Sequence, residues 1–357
     1  MSQINRIDGG LIDRTQKLNF TFNGQTLEGF AGDTLASALL ANGHKMVGRS
    51  FKYHRPRGIF SAGSEEPNAL VQLRTGAYQE PNTRATVTEI FQGLEATSQN
   101  HRGSLKYDFM AVNDLFSSFL SAGFYYKTFM WPKAFWEKFY EPVIRAAAGL
   151  GRLSGEDDPD IYDKGFLHCD VLVVGAGPSG LSAALAAGRA GARVILMDED
   201  FRMGGRLNAE TLSVNDQSGH DWATQAIAEL SAMDNVCLMT RTTAYGAYDH
   251  GVIGALERVT DHLVSSHHKP NPKKPRQILW RVYTKRTILC AGSTERPIAF
   301  GNNDRPGIML AGAVRGYVNR WGALPGKRVA VFTNNDDGWR TATDLAAKGV
   351  EITAVID

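Results

Sequence analysis

Residues 169–200 read CDVLVVGAGPSGLSAALAAGRAGARVILMDED, and this stretch decides the fold. The apolar run DVLVV predicts a buried strand, and the Ala-rich run after it predicts a helix. RVILM predicts a second strand parallel to the first. Between the first strand and the helix, Gly175, Gly177 and Gly180 satisfy G-x-G-x-x-G with both flanks that the pattern needs. Gly175 permits the tight turn, Gly177 lets backbone approach a pyrophosphate, and Gly180 lets helix and strand pack closely. The helix beginning near Pro178 and Ser179 aims free N–H groups and its positive dipole end at the phosphates. The second strand ends at Asp198, with Glu199 next. Asp198 stands where an acid takes the ribose hydroxyls of a dinucleotide, which favours NAD or FAD over a 2′-phosphorylated cofactor. Arg202 and Arg206 lie near enough in sequence to weaken that exclusion.

Working outward, Met203-Gly204-Gly205-Arg206 follows the second strand; the glycines allow close approach to a diphosphate, and Arg206 offers it a charge. Thr243-Ala244 follows the short run VCLMT, where an adenine would need a backbone contact. TILCAGSTERP, 287–297, predicts a strand whose Ala291-Gly292 end lets a loop come close to the cofactor. The last 31 residues, 327–357, repeat strand–helix–strand. There Asn334, Asn335, Asp336 and Asp337 stand where glycines would cradle phosphate, so this unit is expected to hold no second dinucleotide. The repeat stops after two strands, fewer than a doubly wound sheet needs, and a longer chain is expected.

Toward the N-terminus, residues 17–30 alternate apolar and polar around Asn23-Gly24, predicting a hairpin with a tight turn. LASALLANG predicts a short helix stopped by Gly43. The run 49–57, RSFKYHRPR, is a basic loop, able to bind an anion such as phosphate or a folate tail but expected rather to dock on acidic surface of this chain or a neighbour. No carboxylate is spaced along the sequence to orient His54, which is read as structural. Residues 108–152 are dense in aromatics and too apolar for a free linker, so they are expected to pack across the domains or on a partner. SGEDDPDIYDK, 154–164, reads as a solvated hinge. The expected division is residues 1–100, 101–165 and 166–357.

The chain has 357 residues, 43% of them apolar, which suits two or three domains. The balance of 39 basic and 37 acidic residues, +2, argues against a nucleic-acid binder held by bulk charge. No uninterrupted apolar run long enough to span a bilayer occurs, and Met1 to Arg14 lack an apolar signal core, so neither a membrane span nor a leader is expected. The three cysteines, Cys169, Cys237 and Cys290, are too dispersed for a redox pair or metal clip. A cytoplasmic location is the expectation. No HExxH, GxSxG or P-loop is present.

GAGPSGL, MDED, GGR and ILCAGSTERP together resemble the two-dinucleotide flavoprotein disulfide reductases. RSFKYHRPRGI, EEPNALVQL, AGFYYKTFMWP, WEKFYEP and IRAAAGLGR narrow this. They resemble the alpha subunits of heterotetrameric sarcosine oxidases, with opine oxidase and hydrogen cyanide synthase subunits as relatives. The resemblance runs from about residue 10 to the end. It implies an α/β chain: an N-terminal ferredoxin-like β-grasp domain, then a Rossmann-like dinucleotide-binding domain.

It further implies NAD in this chain, contacted by Gly175, Gly177, Ser179, Gly180, Asp198, Glu199, Gly205, Arg206 and Ala244. FAD and FMN would belong to the assembled enzyme, with beta, gamma and delta subunits as partners. Tetrahydrofolate would be handled by residues beyond this chain. The implied reaction is oxidative demethylation of sarcosine to glycine, with formaldehyde or methylenetetrahydrofolate and hydrogen peroxide as further products. Amine oxidation would occur on another subunit, leaving this chain alone without catalytic residues. Because residues 1–168 contain no cysteine, no iron–sulfur cluster is expected in the N-terminal domain. Two other readings stand beside this one. The first is a self-contained FAD-dependent NAD(P)H reductase or related opine or amine dehydrogenase subunit; the second is a non-catalytic scaffold.

Overall fold

The computed structural model describes residues 3–124, 129, 131–147, 151–263 and 274–357. β1 (Asp13–Phe22) and β2 (Gln25–Ala31) form the hairpin that the alternation predicts. Asn23 and Gly24 have φ of 50° and 79°, the left-handed pair that a two-residue hairpin turn of this hand requires. Helix α1 (Leu35–Ala41) starts from a capping box: Thr34 Oγ1 accepts from Ser37 N–H, and Ser37 Oγ accepts from Thr34 N–H. All seven of its residues are buried. β3 (Met46–Arg49) pairs with β4 (Pro56–Gly58). β5 (Leu70–Leu73), β6 (Glu80–Arg84) and β7 (Leu94–Ser98) complete a five-stranded sheet of order β2-β1-β7-β5-β6, in which β1 and β7 run parallel. Phe20, Leu39, Val71 and Leu94 sit in its core.

The aromatic segment passes through a turn at Trp136–Tyr140 into α2 (Glu141–Ala147). Most of its described side chains face solvent; Phe109 is 81% exposed and Trp131 84% exposed. The expected packing across the domains is therefore not how these rings are placed. Tyr125 and Tyr126 lie outside the described residues.

β8 (Tyr162–Val174), α3 (Pro178–Arg189) and β9 (Val194–Met197) form the strand–helix–strand unit of the opening stretch. A small hairpin, β10 (Ser213–Val214) with β11 (Gln217–Ser218), leads into α4 (Gly219–Ser231). β12 (Val236–Met239), β13 (Thr242–Tyr248), β14 (Val252–Arg258) and β15 (Gln277–Leu289) finish a six-stranded sheet of order β12-β9-β8-β15-β14-β13. Its first four strands are parallel; β14 pairs antiparallel with β15, and β13 pairs antiparallel with β14. β9 is buried on both faces, as a central parallel strand must be. The basic stretch HHKPNPKKPRQ, 267–277, lies largely outside the described residues.

α5 (Ala311–Asn319) joins the two halves. Leu310, Ala313, Tyr317 and Trp321 pack into the core of the N-terminal sheet, far from them in sequence. The Tyr317 hydroxyl donates to the Ser61 carbonyl at 2.8 Å. β16 (Arg328–Phe332), α6 (Asp336–Ala347) and β17 (Glu351–Ile356) make the second strand–helix–strand unit, its strands paired only with each other.

Two readings change in three dimensions, and the expected docking of the basic loop on acidic surface is found within the chain. His54 does have a carboxylate: Asp108, 54 positions on, lies 2.6 Å from its Nδ1, and both are buried. Asp160 is no solvated hinge residue. Its carboxylate is buried 2.8 Å from Arg276, which also meets Asp261 at 2.6 Å and pairs with Glu80. In the basic loop, Arg55 and Arg57 both pair with Asp304 of this same chain.

Candidate functional site

β8 delivers the chain into the glycine turn, and the turn explains two of its three glycines by geometry alone. Gly175 has φ of 98°, and a Cβ there would stand 2.4 Å from the Cys290 carbonyl oxygen. A Cβ on Gly180 would stand 1.8 Å from the Gly175 carbonyl oxygen. Gly177 is different: it caps α3 with an ordinary φ of −73°, and a Cβ there would meet nothing within 4 Å. The space it keeps open belongs to the cleft. Ser179 lines that cleft beside it, at the N-terminus of a 12-residue helix.

The Gly-Gly turn closes on the same spot. Gly204 N–H donates to the Ala176 carbonyl at 2.8 Å, and a Cβ on Gly205 would lie 2.8 Å from Gly177 Cα. Gly204 and Gly205 have φ of 122° and 53°, so both need the freedom that glycine has.

The three acids after β9 part company. Asp198 Oδ2 accepts from Ala176 N–H at 2.5 Å, and Oδ1 accepts from Asp200 N–H at 2.9 Å. Burial pushes the Asp198 carboxyl up from its ordinary value; the two N–H bonds oppose this, and the neighbouring Asp200 and Glu199 charges add to it. Glu199 Oε1 accepts from Ser64 Oγ of the N-terminal half at 2.8 Å. Asp200 pairs with Arg320 at 2.5 Å, after α5. Although burial opposes its ionisation, Arg320 and nearby N–H groups hold its carboxyl below the usual range.

These groups open on one cleft of about 1580 Å³. It contains Gly175, Gly177, Asp198 and Glu199 at the first turn, Thr243 and Ala244 on β13, and Gly292 after β15. It continues to Thr333, Asn335 and Gly338 of the second unit. Arg206 lines it too, but its guanidinium is already committed, to Glu210 at 2.7 Å and Asp337 at 2.8 Å. Arg315, a buried residue that sequence patterning did not single out, meets the same Asp337 at 2.9 Å. Burial works against the Asp337 anion, but Arg315 and Arg206 outweigh it and hold its carboxyl below the usual range. Sequence reasoning also missed Phe60, Ala62, Ser64 and Glu65, which bring the N-terminal half into the cleft wall. Only contacts more than a hundred residues apart place them there.

Residues 170–264 match the family of FAD dependent oxidoreductases, and residues 15–101 match a family of 2Fe-2S iron-sulfur cluster binding domains. Sarcosine oxidase subunit alpha of Rhizobium meliloti (strain 1021) is 55% identical over 348 residues, 98% of this chain and 35% of that one. This chain is a homologue of sarcosine oxidase subunit alpha. The subunit from Corynebacterium sp. (strain P-1) is 39% identical over 97% of this chain and 31% of its own. The chain thus spans about a third of the length of these relatives. Among solved structures, L-proline dehydrogenase from P. horikoshii superposes with a TM-score of 0.65 at 18% identity, covering 100% of this chain and 56% of that one, a likeness of fold. Among the described residues, no helix is long and apolar enough to cross a membrane.

The match over residues 15–101 corrects one expectation. The N-terminal half was expected to be without an iron–sulfur cluster, and it matches a cluster-binding family instead. The residues present are a poor fit to that group. Clusters of this kind are held by thiolates, and Cys169, Cys237 and Cys290 all lie outside the matched segment.

Proposed function

We propose that this chain is the dinucleotide-holding part of an oxidoreductase subunit of the sarcosine oxidase type. The observation that carries the reading is the open space at Gly177: a glycine that the backbone does not need, at a helix N-terminus, facing a cleft of dinucleotide size. The diphosphate would lie across Gly177 and Gly205 toward the free N–H groups of α3. The adenosine ribose would meet Asp198, and the adenine the backbone at Thr243 and Ala244.

NAD is the finer reading, supported by the resemblance to the alpha subunits; the match over residues 170–264 supports FAD. The two share their ADP half, which is what these residues address. When bound, FAD supplies a two-electron redox centre and NAD a hydride-accepting ring. This chain's own residues bind, orient and shield the dinucleotide. The second unit supports a single dinucleotide, because Asp337 with Arg206 and Arg315 occupies the place of a phosphate cradle.

On this reading the assembled enzyme demethylates sarcosine oxidatively with oxygen as acceptor, the amine is oxidised on another subunit, and this chain alone is inactive. The exposed rings of Phe109, Phe119 and Trp131 support a protein-covered surface in that assembly. The test is release of bound cofactor by heat or acid, identified by mass spectrometry. NAD without flavin supports the finer reading. FAD makes this chain a redox-active subunit. Neither, together with no binding of ADP-ribose, refutes the site.

A further inference from the structure

We propose that residues 60–66 of the N-terminal half form the specificity wall of the adenosine end of the cleft, fixing Glu199 so that the site accepts a ribose without a 2′-phosphate. This rests on the dinucleotide reading above and adds an element from outside the nucleotide-binding unit.

The loop is held in one shape from within. Glu66 is buried, and its carboxylate gathers the loop's own donors. Oε2 accepts from Phe60 N–H at 2.9 Å, Ser61 N–H at 2.6 Å and Ser61 Oγ at 3.1 Å. Oε1 accepts from Asn68 N–H at 2.8 Å and Ala69 N–H at 3.0 Å. Its outer ties reach the second half. Leu310 N–H donates to the Phe60 carbonyl at 2.9 Å, and the Tyr317 hydroxyl donates to the Ser61 carbonyl. A loop so fixed costs little ordering entropy when a ligand arrives.

At its tip Ser64 Oγ holds the Glu199 carboxylate. Arg258 secures the same point from below, donating to the Glu199 carbonyl at 2.7 Å and the Val87 carbonyl at 2.9 Å. Glu199 is thus held at its side chain by Ser64 of the N-terminal half and at its carbonyl by Arg258 of β14, next to Asp198.

The charge around it is negative. Glu65, Asp198 and Glu199 line this end of the cleft, with Asp200 already paired to Arg320. Arginines near this end are engaged elsewhere. Arg202 donates to the Leu11 carbonyl, Arg206 pairs with Asp337, and Arg241 pairs with Glu89 at 2.6 Å. A 2′-phosphate would meet fixed carboxylates at this end, where Arg202 and Arg258 are held on backbone carbonyls.

The experiment titrates charcoal-stripped protein with ADP-ribose and with 2′-phospho-ADP-ribose, and reads the ratio of the two affinities. Ser64→Ala should weaken ADP-ribose by roughly threefold to tenfold and lower the ratio. Ser64→Thr, which keeps the hydroxyl, should restore both. Glu199→Gln should lower the ratio by about tenfold or more. Glu66→Gln should act like Ser64→Ala, and Ser64→Ala, a change at the loop tip, carries the test if the buried variant fails to fold. A ratio unchanged in both Ser64→Ala and Glu199→Gln would overturn the proposal while leaving the dinucleotide site standing. Wild-type protein that binds neither probe would overturn the site itself.

Discussion

Gly177→Ala separates a glycine kept for a ligand from one kept for the fold. In the ligand-free protein the added methyl enters open space and φ stays at −73°. Two small terms oppose each other. Alanine is a poorer N-cap than glycine by roughly 0.5–1 kcal/mol, while replacing glycine stiffens the unfolded chain by about 0.4–1 kcal/mol in favour of folding. The net change in stability is therefore close to zero. Binding is a different matter, because the methyl lies where a pyrophosphate must come against backbone. Wild-type protein with ADP-ribose at a hundred times its Kd gains about 2.7 kcal/mol, a rise in apparent Tm of about 3–5 °C at this size. If the methyl costs a factor of about 100 in affinity, the same ligand concentration equals the variant's Kd and adds only about 0.4 kcal/mol. The assay is a thermal melt with and without ADP-ribose. Gly180→Ala is the contrast: its Cβ would stand 1.8 Å from the Gly175 carbonyl oxygen, so it should lower the Tm of the ligand-free protein. A Gly177→Ala protein that keeps the full ligand-induced shift would refute the placement of the diphosphate.

Arg276→Met removes the cation shared by Asp160, Asp261 and Glu80 in a site where the guanidinium is 7% exposed. Arg74 would remain to Glu80 and Asp160 at 3.5 and 3.6 Å, so the loss should be at most about 3–5 kcal/mol, read as a lower apparent Tm or denaturant midpoint. Because burial raises the Asp198 pKa above its ordinary value, the ribose-binding anion is fully present only well above that value. ADP-ribose affinity should fall as the pH drops through the raised pKa, and calorimetric titration should show a flat, weak profile for Asp198→Asn. Asp108 shifts the other way: burial opposes its ionisation, but bonds from Arg102 N–H, His54 and Met110 N–H hold its carboxyl below the usual range. Its contribution to stability is present above the unfolded carboxylate value and lost as the pH falls through the depressed one. Asp108→Asn should therefore lower the Tm at neutral pH, with the gap to wild type closing on acidification.

What could be read from residue order is what lies close in it. The hairpin at Asn23-Gly24, the cap at Thr34 and the glycine turn between β8 and α3 each depend on residues within a few positions of one another, so spacing and side-chain type suffice. His54 and Asp108, Asp160 and Arg276, and Ser61 and Tyr317 are separated by 54, 116 and 256 positions. No local pattern encodes such pairs; they exist because two cores must close on each other, and α5 serves both. The placement of α5 also explains why the N-terminal half enters the cleft, since Leu310 and Tyr317 carry the loop at Phe60 and Ser61 with them.

The acids of Asp198-Glu199-Asp200 make the same point within three residues. As sequence they are one negative run at a strand end, and only the first has a position that a motif can interpret. In the fold each is claimed by a different element: Asp198 by the glycine turn, Glu199 by Ser64 of the N-terminal half, Asp200 by Arg320 beyond α5. Asp200 is neutralised, and Asp198 and Glu199 are held at fixed points by hydrogen bonds, with no paired cation among the described residues. The charge a ligand meets there is thus set by which arginine each acid was denied. That selection is made by elements 120 to 135 positions away.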